Sequence, residues 1–216
     1  MPLDWHAVVE QFSNVQRLVH LAARYDAADV EQIRRELLRA RRASYEQELE
    51  IQAGNVGCAG RRAGLRNNET LSKLNEMSLA DAQSIVNTYN YYLANEIKRA
   101  RQDNPRGNRH YYAARIRRFD EEYWKWKDAQ IANVTDKTAR ALAQQEFYRM
   151  NANAIGFAIL EPRQGVCPVC VGWINRGFVP LRVALNNPPP YHVNCPHTWD
   201  IRPKQVEDCE ALWMGE

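Results

Sequence analysis

The chain has 216 residues, 45% hydrophobic and 25% charged, with a formal net charge of +3. That length suits one domain with a sizeable core or two small ones, and the near-neutral balance excludes a strongly basic, whole-chain nucleic-acid binder. A mean hydropathy of −0.61 and the lack of any run near the ~18 apolar residues of a membrane span point to long helices with solvated faces and to no membrane partner.

Residues 4–25 carry Trp5, Val8, Val9, Phe12, Val15, Val19 and Ala22 at three- and four-residue steps, which predicts a helix with Asp4 as its N-cap. A basic n-region and an apolar h-region are both missing here, so synthesis in the cytoplasm and reduced thiols are expected. A second helix is predicted over about 29–51. Val30, Ile33 and Leu37 form its apolar stripe; Arg34, Arg35, Arg39, Arg41 and Arg42 crowd its other sides, and Glu46, Glu48 and Glu50 are placed to answer some of them. Residues 53–70 hold four glycines and two adjacent asparagines without periodicity, which reads as a loop or hinge.

Ser78 and Asp81 form an S-x-x-D capping box that predicts a sharp new helix start. Leu79, Ala82, Val86, Tyr89, Leu93 and Ile97 follow as its stripe. "DNPRGNR" (103–109) breaks it, because proline cannot continue a helix and glycine favours a turn. Another helix covers about 109–132, with Tyr112, Ile116, Phe119, Tyr123, Trp124 and Ile131 available to a core. Trp124 and Trp126 are two residues apart, so one helix face cannot bury both. Thr135 or Asp136 is expected to cap a further helix bearing Ala139, Leu142, Ala143, Phe147 and Met150. After Gly156 the helical period vanishes and prolines multiply. The expected organisation is a helical hairpin (1–52), a hinge (53–69), a helical region (70–156) and a C-terminal module with its tail (157–216). The expected fold class is mainly α, ending in a small irregular or β zinc-ribbon-like module.

Three of five cysteines and two of five histidines fall in "CPVC" (167–170) and "PPYHVNCPH" (189–197). Cys167, Cys170, His192 and Cys195 make C-x2-C followed by H-x2-C. Each close pair chelates and the intervening loop returns the second pair, which is how structural zinc is held. His197 is an alternative fourth ligand, or a support behind the ligands. Buried thiols with a core histidine are the plain rival. A redox CxxC is disfavoured, since no βαβ pattern surrounds it. Four ligands within the motif would close the site, and no glutamate follows His192 as in the zinc deaminases, so catalytic zinc is not expected. Cys58 and Cys209 stand apart and read as inert thiols.

From about Thr138 to Asp200 the chain resembles the head-morphogenesis domain of tailed-phage minor head proteins, the phage Mu F-like family. The helix "TARALAQQEFYRMNANA", then "CPVC", then "PPPYHVNCPHTWDI" carry the likeness. The family usually has cysteine two residues after the second-stretch cysteine, where this chain has His197. The resemblance implies a non-enzymatic virion component, made in the host cytoplasm and present in few copies, though more than one, in the assembly. It would sit near the portal vertex or inside the head, touch portal or major capsid subunits, and help head assembly or DNA packaging and delivery.

Lys98, Arg99, Arg101, Arg106, Arg109, Arg115, Arg117 and Arg118 form a basic stretch with Tyr111 and Tyr112 among them. It suits non-specific DNA contact, an acidic partner, or a solvated helix face. A DNA-binding zinc protein and a zinc hydrolase or nuclease are therefore the rival functions. No phosphate loop, nucleophile elbow or paired-carboxylate signature competes.

Overall fold

A computed structural model describes residues 28–160, 167–191 and 195–215. The helix expected over 4–25 lies outside the described residues. The protein is mainly helical; among the described residues three long helices are followed by a small three-stranded sheet.

Helix α1 spans Ala28–Asn55. Ile33, Leu37, Tyr45, Leu49 and Ala53 recur about once a turn and are fully buried. Gly57 closes it at φ +93°, a conformation that L side chains rarely adopt, while the Cys58 N–H donates to the Ala53 carbonyl at 2.8 Å. Arg42 pairs with Glu46 one turn on at 3.0 Å, whereas Glu48 turns away from the arginines of its own helix.

Helix α2 spans Asn68–Asp103, so it starts well before the Ser78 capping box. Asn67 caps it instead: its Oδ1 accepts from the Glu69 and Thr70 N–H groups at 2.9 and 3.3 Å. Ser78 is fully buried inside the helix. Helix α3 spans Arg109–Met150 without the break expected near Thr135. Neither glycine nor proline interrupts it, and the Thr138 hydroxyl donates back to the Val134 carbonyl at 2.8 Å, so a threonine is absorbed into the turn.

Two compact units result. Of the described residues, the first takes 28–38 together with Asn75–Ala132. Its core is aromatic: the Tyr89 ring lies 5.5 Å from Tyr123 and 5.7 Å from Trp124. The Trp124/Trp126 pair splits as helical spacing demands, Trp124 being buried and Trp126 51% exposed.

The second unit takes Arg39–Leu74 with the residues from Asn133 onward. It contains strands β1 (Phe157–Leu160), β2 (Val179–Pro180) and β3 (Trp199–Arg202), ordered β2-β1-β3 and all antiparallel. Ala158 pairs with Val179 on one side and Ile201 on the other. Two short helices, α4 (Pro168–Ile174) and α5 (Leu181–Leu185), fill the connections. Buried polar groups knit α1 to α3 in this unit. Arg140 bonds Glu48 at 2.8 Å, Gln144 bonds the other Glu48 oxygen at 2.7 Å, and the Tyr148 hydroxyl donates to Gln52 at 2.7 Å.

Cys58 and Cys209 are joined in a disulfide, which corrects their reading as inert thiols. The bridge works with backbone bonds from Val206 N–H to Val56 O (2.9 Å) and Arg66 N–H to Gly215 O (3.0 Å), strapping the C-terminal tail to the α1–α2 loop. Nothing in the spacing of two cysteines 151 residues apart announces such a pair.

Candidate metal centre

CPVC is the entry to α4. Cys167 is the N-cap in extended conformation, Pro168 takes the first helical position, and Cys170 falls in the first turn. Proline suits that place because its fixed φ matches the helix and its missing N–H has no partner to lose. The turn folds the two thiols together: Cys170 N–H donates to Cys167 Sγ at 3.4 Å, and the two sulfurs are 3.3 Å apart.

The second arm is the extended segment running into β3. An extended chain sends alternate side chains to one side. Cys195, His197 and Trp199 are accordingly buried, while Thr198 is exposed. This alternation brings His197 into the group. Cys170 Sγ is 3.8 Å from Cys195 Sγ, and Cys195 Sγ is 3.9 Å from His197 Nδ1. The ligating atoms of Cys170, Cys195 and His197 all lie within 4.8 Å of one another, so these residues form a group able to hold a metal ion. Cys167 adjoins it through Cys170. His192 lies outside the described residues.

Neighbours fix both arms. Trp199 meets Trp173 of α4 edge to face at 5.5 Å, and the Arg176 guanidinium covers Trp173 at 4.3 Å. The Trp199 indole N–H and the Tyr191 hydroxyl both donate to the Asn187 carbonyl, at 3.0 and 2.9 Å. Lys137 Nζ of α3 donates to the Cys195 carbonyl. Nothing in the sequence signals that lysine, because its target is a backbone atom.

The thiols differ electrostatically. The Cys170 backbone N–H at the head of α4 lowers the Cys167 thiol below its ordinary pKa. Burial, then the neighbouring sulfurs of Cys167 and Cys195, pushes Cys170 up to about 12. Sulfurs packed this closely resist sharing negative charge, and a divalent cation among them reverses that balance. The same sulfurs, after burial, raise the Tyr191 phenol.

Of the basic stretch, Arg115 is engaged by Glu96 at 2.5 Å and Asp103 at 3.3 Å, and Arg118 by Glu122 at 2.8 Å. Lys98, Arg99, Arg101, Arg106, Arg109 and Arg117 are exposed, with no carboxylate partner among the described residues. No helix among the described residues is long and apolar enough to cross a membrane.

No protein-family model matches the chain, and comparison with curated proteins and with solved structures gives no match.

Proposed function

We propose that the chain is a structural, non-enzymatic minor head protein of a tailed bacteriophage, with a C-terminal module pinned by one Zn²⁺ on Cys167, Cys170, Cys195 and His197. The observation that carries this reading is the convergence of Cys170, Cys195 and His197. The phage head-morphogenesis pattern has a cysteine where this chain has His197, so a ligand at that position keeps the donor set complete. Thiolates with imidazole suit borderline-soft zinc. Two sulfurs on one tetrahedral zinc at about 2.3 Å each stand about 3.8 Å apart, and Cys170 and Cys195 are separated by 3.8 Å. The Cys167–Cys170 distance of 3.3 Å needs only a small side-chain rotation to reach it. Four protein donors leave no open coordination position for a reacting water, which argues against the hydrolase and nuclease reading.

In this reading the protein is made in the host cytoplasm, enters the virion, and meets portal or major capsid subunits near the portal vertex in several copies. Mass spectrometry of phage particles released from cells that carry the gene tests it. The chain is expected in purified particles, at far fewer copies than the major capsid subunit. Its absence from particles, with the chain abundant in the cells, would overturn the assignment.

The six cations around the α2–α3 connection that have no carboxylate partner among the described residues favour a second reading, non-specific DNA contact by a zinc protein. DNA affinity that falls steeply and linearly on a log–log plot against salt supports it, and a flat dependence rejects it.

A further inference from the structure

A cleft of about 350 Å³ in the second unit is lined by Lys73 of α2, Gln145, Glu146 and Arg149 of α3, and Arg182 and Asn186 at α5. Among the described residues neither the Arg149 nor the Arg182 guanidinium makes a hydrogen bond or a close ion pair, although Arg149 is near enough to the Glu69 carboxylate to interact with it electrostatically. Lys73 is divided between Glu69 at 2.7 Å and Glu146 at 3.7 Å. Glu146 is 4% exposed, and its Oε2 accepts from the Tyr45 and Thr70 hydroxyls at 2.6 Å each. Its Oε1 is buried without a hydrogen bond and faces only the distant Lys73 ammonium. The lining holds three cations and one carboxylate; counting Glu69, which pairs with Lys73 beside the cleft without lining it, three cations against two carboxylates leave one positive charge at a concave, part-apolar site with Leu142, Ile155 and Leu185 as its apolar wall.

The frame that presents the guanidinium groups is held in place. Gln145 Nε2 donates to the Leu185 carbonyl and ties α5 to α3. The Leu181 N–H donates to the Gly156 carbonyl at 3.0 Å and fixes the start of α5. Arg182 and Arg149 therefore flank one opening from two braced helices, and planar guanidinium forks match the paired oxygens of an oxyanion.

We infer that this cleft binds a singly charged oxyanion, a carboxylate or a phosphodiester, between Arg149 and Arg182. The inference is independent of the metal reading. Titration of the full chain with acetate, with dimethyl phosphate and with sulfate, followed by backbone amide shifts, tests it. Saturable shifts of residues around Arg149 and Arg182 are expected with at least one of the two monoanions, and the tighter one identifies the source. Arg149→Ala and Arg182→Ala should each weaken binding at least tenfold, Arg182→Lys should keep part of it, and Arg106→Ala should leave it unchanged. Both arginines are exposed, so these variants keep the fold, which circular dichroism checks. Tighter binding of sulfate than of both monoanions overturns the charge assignment. No saturable shift with either monoanion, or equal affinity in the arginine variants, overturns the site.

Discussion

Gly156 stands where β1 begins, and a Cβ there would lie 2.2 Å from the Arg202 carbonyl oxygen and 3.0 Å from Pro203 Cα. Both are backbone atoms that cannot swing aside. Gly156→Ala should therefore force β1 and the end of β3 apart and destabilise the protein by about 2–4 kcal/mol. Denaturant unfolding checks this, and a change below about 0.5 kcal/mol would contradict the close approach. Asp128 offers a pH-dependent test. Burial raises its pKa from 3.8 to about 6, so the folded state holds a proton that the unfolded chain has released. Its ionisation thus costs stability as pH rises through that interval, and stability relative to pH 7 improves below it. Discounted for its partial exposure, the effect is about 1 kcal/mol. Asp128→Asn should raise Tm at pH 7 and much less at pH 4; an equal gain at both would point to packing instead. His197 shows what sequence could and could not tell at this scale. Its ligand type and its place two residues past Cys195 were legible. Its gathering with Cys170 and Cys195 required knowing that the chain from Cys195 to Trp199 is extended, so that alternate residues share a face.

The long helices were legible because their apolar residues recur about once a turn, but their boundaries were less so. Ser78 and Asp81 carry a capping pattern, yet the residues before them are helix formers with no glycine or proline, and Asn67 caps the earlier start. Thr135 misled for the same reason: a β-branched residue weakens a helix slightly and does not end it. The strands were hidden by their length, at most four residues each. They are held by register with β1 and by neighbouring helices. The disulfide was invisible because pairing depends on the fold bringing the α1–α2 loop and the tail together, which spacing does not encode. Cross-linking residues 151 apart removes much unfolded-chain entropy, so Cys58→Ser with Cys209→Ser should cost about 3–5 kcal/mol and free the tail. Chemical denaturation measures the first effect. Amide exchange at Val206 and Arg66, whose N–H groups bond across the strap, measures the second. Unchanged protection there would show that the hydrogen bonds alone hold the tail.

At the scale of the molecule, helical mass and metal module contribute unequally. The module has three short strands, two short helices and few large buried side chains, and under the proposed metal reading an ensemble this small would gain much of its order from a bound ion. The long helices bury their own stripes. Cys195→Ser should consequently leave most of the far-UV helical signal intact while the Trp173–Trp199 contact loosens, read as a red shift in tryptophan fluorescence. A collapse of the helical signal would mean that the ion supports the whole second unit. The proposal of a phage head protein leans on the Cys/His pattern more than on the helices, whose amphipathic character many proteins share. Its first requirement is that the four donors act as one site. Elemental analysis of the purified chain tests that most directly, on wild type beside His197→Ala, His192→Ala and the Cys167→Ser/Cys170→Ser pair. About one zinc per chain is predicted for wild type and for His192→Ala, with loss in the other two. A well-folded wild type without metal, or full zinc in His197→Ala with loss in His192→Ala, would contradict the centre described here.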